Sequence, residues 1–428
     1  MLFNQTLTYI SLFSGAGVGC YGLLEEGFEC VATNEILEKR LNIQRINNKC
    51  KFDEGYICGD IKELEIKEKI LKRIEFYSKN FGNDRVDLVV ATPPCQGMSV
   101  ANHKKKNDEI KRNSLVIESV DLIKQIKPRF FILENVPSFY KTGCIDKNDN
   151  LLEIGSMIEQ NLSGDYRLYD EVINFKNFGA NSSRTRTLVI GVCKEFKDFI
   201  SALEFFPDFK QEKTLKEVIG SLKPLTWGEY DSTDFYHSFR TYPKHMQEWI
   251  KDLKEGQSAF ENVQDAISDL AYLCSNEGAF ESDYLNPIQS SYQALMRKNS
   301  PKLYNHQATN HSQAALEKLK LINKEQGKEC LPKNLHGKQQ FKSTWGRLNW
   351  NKISPTIDTR FDTPSNGTNS HPKLHRSITP REAARIQSFS DNYIFYGNKT
   401  SVCKQIGNAV PPLLALALGK AILKSLRK

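Results

Sequence analysis

Cys95 sits in Pro93-Pro94-Cys95-Gln96-Gly97, directly after the apolar run 86–91. A short run of β-formers bounded by turn residues reads as a buried strand. The two prolines stop it, because proline cannot extend the ladder. The thiol is thereby presented at the carboxyl end of a strand, where open α/β sheets form their ligand crevices. There it is a candidate nucleophile. The alternative is a buried structural cysteine, since free cysteine is among the most buried residue types. Glu134, in Glu134-Asn135-Val136-Pro137, ends the strand that follows. It either brings a carboxylate beside the thiol or caps a helix. Arg184 and Arg186 precede the last strand two residues apart, so both fall on one face. They suit a clamp on a carboxylate or an anionic substrate, or edge-strand charges that limit aggregation.

A second group of residues suits a nucleoside. Phe13-Ser14-Gly15-Ala16-Gly17-Val18-Gly19 follows the first strand and opens a helix. Glycines there let the backbone approach a ligand, and the helix amino end favours anionic groups. A plain tight turn carries the same signature. Glu35 ends the second strand, roughly 20 residues on, where an acid can bind ribose hydroxyls. Asp60 ends the third, placed to accept from an adenine amino group. Each acid alone is more often a helix cap. Together, at successive strand ends, they describe a nucleoside pocket. His103-Lys104-Lys105-Lys106, then Lys111 and Arg112, follow Cys95 within one loop. That is a solvated charge run or a phosphate-gripping loop that closes over the site.

The elements that must position these groups alternate. Strands are expected over 9–13, 30–34, 56–60, 86–91 and 129–135, with helices over 18–26, 36–47, 61–79, 114–126 and 151–161. Two strands, 166–174 and 187–193, close the series. Alternation of this kind means a parallel, doubly wound sheet. Past residue 195 the rhythm is lost, and three of the four tryptophans (Trp227, Trp249 and Trp345) fall in a loop-rich stretch. Order returns at Thr379-Pro380-Arg381-Glu382, a helix start with Thr379 as N-cap and Glu382 at the capping-box position. A final helix over 411–426 is amphipathic enough to pack back on the sheet.

A chain of 428 residues is too long for one core, so two domains are expected: 1–195, an irregular domain over 196–345, and a return segment over 346–428 that completes the first. The apolar runs are too short to span a bilayer, and no secretory signal is expected. The ten cysteines are scattered without a CxxC pair, as suits reduced thiols in a cytoplasm. His306, His311, His336, His371, His375 and Cys330 show no tight ligand spacing, so no metal is expected. The net charge of +8 hints at a polyanionic partner.

With these segments in this order, the chain resembles the cytosine-5 DNA methyltransferases of bacterial restriction–modification systems. The resemblance rests on 13–19, 34–35, 59–61, 93–99, 113–115, 131–136, 184–186, 381–389 and 405–410. It implies a Rossmann-like, mostly parallel methyltransferase sheet with a smaller target-recognition domain over 196–345. It implies S-adenosylmethionine as methyl donor, held by Phe13, Ser14, Gly15, Ala16, Gly17, Gly19, Glu35, Ile36, Asp60, Ile61, Pro94, Leu115, Asn408 and Ala409. It implies that Cys95 adds to C6 of a cytosine flipped out of duplex DNA. Glu134 would then hydrogen-bond N3 and the exocyclic amine, and Arg186, with Arg184 close by, the carbonyl oxygen. The expected partners are double-stranded DNA and a cognate restriction endonuclease that shares the site without a stable complex; the expected state is a monomer with no membrane contact. The chain departs from the family pattern with Ser182 in place of glutamine, Ile36 where an aromatic often stacks on adenine, and Ser390 in place of proline. These departures bear on affinity more than on the reaction class. A tRNA cytosine-5 methyltransferase shares the same core, but Gly97-Met98 and the long middle region favour DNA. An inactive relative that only binds is at odds with intact Cys95, Glu134 and Arg186. A dinucleotide oxidoreductase has no use for Cys95 and Glu134 together.

Overall fold

Apolar runs with no polar face, such as Thr8–Leu12 and Leu88–Ala91, are what strands covered on both sides require, and both are buried throughout. The computed structural model describes residues 6–94, 113–195, 213–221, 281–282, 291–297, 300, 302–309, 311–322, 327–336 and 343–426. Its strands are β1 (Thr8–Leu12), β2 (Glu29–Glu35), β3 (Tyr56–Cys58), β4 (Leu88–Ala91), β5 (Phe130–Asn135), β6 (Gly143–Ile145), β7 (Leu151–Glu153), β8 (Tyr166–Asn174) and β9 (Thr185–Cys193). Seven of them form one sheet in the order β3-β2-β1-β4-β5-β9-β8. The first five are parallel; β9 runs antiparallel to β5 and β8 antiparallel to β9. The doubly wound, mostly parallel sheet is as the sequence implied. The strand order reverses between β1 and β4, and that switch point is where such sheets bind ligands.

Helices cover both faces. Leu64–Phe81, Leu115–Ile126 and Ile154–Leu162 pack on one. Tyr21–Glu25, Glu38–Ile46 and Pro412–Leu426 pack on the other. Within Leu64–Phe81 the buried Ile66, Ile70 and Tyr77 recur at helical spacing.

The hairpin β6–β7 was not foreseen, and 151–153, expected to open a helix, is its second strand. The cause is local. Asp146 Oδ1 accepts from the N–H groups of Asn148 and Asn150 at 2.8 Å each, so the side chain builds the turn. The helix then starts at Ile154.

Gly191 in β9 pairs with Phe131 in β5. A Cβ at Gly191 would lie 1.9 Å from Phe131 Cε1, and the Phe131 ring is itself wedged edge-on to Tyr166 at 5.1 Å. Gly191→Ala is therefore expected to destabilise the fold by about 1–3 kcal/mol, seen as a lower urea midpoint. An unchanged midpoint would show that the ring has room to move.

By contacts the chain divides into two units, 1–212 with 409–428, and 213–408. Residues 346–408 thus group with the second unit. What binds them there is charge inside the fold. Arg376 is fully buried and bonds Glu382 with both Nη atoms, at 2.8 and 2.7 Å. Arg385 grips Asp391 through Nε and Nη2. Arg381 donates to the carbonyls of Tyr304, Ser390 and Tyr393. The Thr379–Glu382 capping box forms as expected at the start of Pro380–Ile386. The apolar stretch Lys399–Leu426 is 28 residues long. It is two helices, Lys399–Gly407 and Pro412–Leu426, in different units, and 67% of its most apolar window is buried in the protein.

Candidate active site

β1 ends in a turn whose backbone leaves the usual regions three times: Phe13 at φ 53°, Gly15 at 57° and Gly17 at 83°. Only glycine takes such angles without strain. Ser14 donates both its N–H and its hydroxyl to the Asn34 carbonyl at the end of β2. Gly15 N–H reaches Glu35 Oε2 at 2.8 Å. Around Gly15 the Cβ direction is open, with no atom within 4 Å, whereas Gly19 backs onto Val410. Ala16 is buried beneath the turn.

Glu35 is nearly enclosed. Its Oε1 accepts from Leu37 N–H at 3.2 Å and from Arg40 at 3.1 Å. Beside it Ile36 is 59% exposed, an apolar surface at the strand ends. Asn34 Nδ2 donates to the carbonyls of Ile57 and Gly59, tying β2 to the loop after β3. Asp60 in that loop is half-buried, and its Oδ1 accepts from Lys62 N–H at 3.0 Å. Ile61 points into the core. Pro94 and Leu115 are half-buried at the end of β4 and the start of Leu115–Ile126. Asn408 is exposed and Ala409 buried, and the unit boundary falls between them.

The groups expected to handle the base lie on the other side of the switch point. Glu134, buried in β5, stands one residue past the Ala91–Leu133 pair of β4 and β5. Arg186 Nε lies 3.3 Å from Glu134 Oε1. Arg184 is buried two residues before it. Burial raises the Glu134 carboxyl above the usual range, and the charges of Arg186 and Arg184 pull it down without cancelling the rise. The chain leaves β4 at a fixed point. Thr92 Oγ1 donates to the Phe13 carbonyl at 3.0 Å, and Asn135 Nδ2 to the Pro93 carbonyl at 2.9 Å. Cys95 and the basic loop at 103–112 lie outside the described residues.

Three features of the site escaped the sequence. Arg40, in the first turn of Glu38–Ile46, is the ion-pair partner of Glu35. Asn135 holds the Pro93 carbonyl. Gln44 is fully buried under the glycine turn. Its signal was available: it sits three residues after buried Leu41, on the core face of an amphipathic helix. Among the described residues of the second unit, His306 bonds Thr379 at 3.0 Å, His311 bonds Ser377, His336 and His375 bond the Leu331 and Leu319 carbonyls, and His371 Nδ1 accepts from the Lys373 and Leu374 N–H groups.

A family model described as C-5 cytosine-specific DNA methylase matches residues 7–424. The type II methyltransferase M.DdeI of Desulfomicrobium norvegicum is 28% identical, over 97% of this chain and 88% of its own. M.XorII of Xanthomonas oryzae pv. oryzae, another type II methyltransferase, is 27% identical over 98% and 85%. Two solved structures share the fold. One is a candidate prophage-encoded DNA modification methyltransferase from E. coli, with a TM-score of 0.63, 23% identity and coverage of 99% of this chain and 100% of that one. The other is the S. pombe Dnmt2 methyltransferase, with a TM-score of 0.51, 13% identity and the same coverage. The match from residue 7 to residue 424 takes in the glycine turn, the Pro-Pro-Cys turn and the Glu134 strand alike, and the chain belongs to the C-5 cytosine-specific DNA methylases, as a DNA (cytosine-5)-methyltransferase.

Proposed function

We propose that this enzyme methylates one cytosine within a short duplex DNA sequence, with Cys95 as covalent nucleophile and Glu134, Arg184 and Arg186 around the base. The observation that carries the reading is the pairing of buried Glu134 with half-buried Arg186, one strand away from the strand that leads into Pro93-Pro94.

Methyl transfer in this family draws on S-adenosylmethionine, whose sulfonium supplies an electrophilic methyl group. The residues of the first turn fit such a nucleoside. Gly15 leaves open space beside the backbone. Ile36 offers an apolar surface for the adenine, and Asp60 an acceptor for its amino group. Glu35 uses three of its roughly four acceptor positions within the protein. A ribose hydroxyl takes the fourth or displaces Arg40, the partner that is 40% exposed. The helix amino end behind the turn favours the amino-acid carboxylate.

Cytosine C5 is a weak nucleophile. Addition of the Cys95 thiolate to C6 moves the ring double-bond electrons toward C5, which takes up the methyl group. Loss of the C5 proton to a base and expulsion of the thiolate restore the ring. Glu134 bonds N3 and the exocyclic amine, favouring the charge that develops as the thiolate adds. Arg186 holds the carbonyl oxygen, and Arg184 adds positive charge beside it.

The base reaches this pocket only after leaving the stack. Residues 196–345 read the sequence from the major groove, where all four base pairs differ. The basic loop after Cys95 grips phosphates. In this reading the enzyme works in the cytoplasm as a monomer, marking sites that a cognate endonuclease would otherwise cut; its similarity to proteins named type II methyltransferases supports the restriction–modification role.

Duplex DNA with 5-fluorocytosine at the target tests the covalent step. Fluorine at C5 cannot leave as a proton does, so elimination stalls with sulfur on C6. A stable adduct is expected, with peptide mapping placing it at Cys95. An adduct on any other of the ten cysteines would refute the assignment.

A further inference from the structure

A buried polar relay runs beneath the glycine turn. Lys49, Thr33 and Gln44 are all enclosed. Lys49 Nζ donates to Thr33 Oγ1 at 3.0 Å. An ammonium has no acceptor, so the threonine oxygen must accept and its hydrogen is free to donate. It does so to Gln44 Oε1 at 2.7 Å. That fixes the amide. Gln44 Nε2 faces the turn and donates to Ser14 Oγ at 2.8 Å and to the Gly15 carbonyl at 2.7 Å. Glu35 holds the N–H of the same glycine. Both polar ends of Gly15 are therefore pinned while its Cβ side stays open. There is no slack behind: a Cβ on Gly17 would sit 2.6 Å from Gln44 Cγ and 3.2 Å from Lys49 Cδ.

We propose that Gln44, oriented by Thr33 and Lys49, is a positioning residue that holds the Ser14–Gly15 turn in its ligand-receiving conformation and so sets affinity for S-adenosylmethionine. The inference rests on the nucleoside reading of this turn. Without the amide, the Gly15 carbonyl loses the Gln44 donor, and the left-handed glycine is free to rotate its peptide. The turn must then be reordered at each binding event. Chemistry on the base, across the switch point, is untouched once the donor is saturating.

The test uses the full chain and equilibrium dialysis with radiolabelled S-adenosylmethionine, alongside steady-state kinetics on duplex DNA. Gln44→Leu is expected to raise Kd and KM for S-adenosylmethionine about 10- to 100-fold, the size of one to two lost hydrogen bonds. Turnover at saturating donor should stay within about threefold and DNA affinity should not change. Thr33→Val should weaken donor binding about 3- to 10-fold. Thr33→Ser, which keeps the hydroxyl, should restore it. Gln44→Leu combined with Thr33→Val should be no worse than Gln44→Leu alone, because the two act through one amide. Glu35→Ala serves as the control. If it weakens binding while Gln44→Leu leaves Kd within twofold, the site stands and the positioning role is overturned. The role is also overturned if Gln44→Leu lowers turnover and melting temperature with KM unmoved. If neither variant changes Kd, the nucleoside reading falls and takes this inference with it. Should Gln44→Leu fail to fold, the isosteric Thr33→Val decides alone, and an unchanged Kd there overturns the proposal.

Discussion

Cys95→Ser is expected to lower methyl transfer by about four orders of magnitude or more, the scale seen when an enzyme loses its nucleophile. A serine hydroxyl needs a strong base to attack a pyrimidine. Among the described residues, Glu134, the carboxylate expected to handle the base, is paired with Arg186 at 3.3 Å. The point where the chain departs toward Cys95 is held by Thr92 on the Phe13 carbonyl and Asn135 on the Pro93 carbonyl. The substitution should therefore leave the backbone, and with it DNA affinity, unchanged. Filter binding and labelled-methyl transfer on one duplex measure both quantities. Retention of as much as 1% of turnover would exclude Cys95 as the covalent nucleophile.

The parallel core was legible because strands buried on both faces cannot hide their composition. Leu88–Ala91 and Phe130–Asn135 read as strands from apolar residues alone. The hairpin at Gly143–Glu153 was not, since Leu151-Leu152-Glu153 fits a helix start as well as a strand. The deciding fact is Asp146 closing a turn through its own side chain. At the site, residue types at strand ends gave Glu35, Asp60 and Glu134, but not their partners. Arg186 reaches Glu134 because β9 runs antiparallel to β5, and no spacing rule relates residues that far apart in the chain. Arg376, Arg381 and Arg385 are all buried. The reason is that each has a planar guanidinium filled by a carboxylate or by backbone carbonyls, partners that composition does not pair.

Glu134→Gln is expected to cut turnover about 10²- to 10⁴-fold, the usual worth of a positioned acid or base, with little effect on DNA affinity. The reason lies in its setting. Burial raises the carboxyl, and Arg186 and Arg184 lower it by less. The neutral acid therefore persists to higher pH than in an exposed glutamate, able to donate to N3 as the thiolate adds. If the protonated form is the working form, activity is full below its pKa and falls as pH rises through it. Arg186→Gln removes the larger opposing charge, so the pKa rises further and the alkaline limb of single-turnover methyl transfer moves to higher pH. The maximal rate drops at the same time, because the contact to the base carbonyl is lost. Arg186→Lys keeps a charge and should leave the limb close to its original place, while still losing rate through the missing fork geometry. Profiles of the three proteins on one duplex, at saturating donor, separate the effects. A limb that moves to lower pH in Arg186→Gln, or stays where it was, would show that the ionisation governing the rate is not that of Glu134.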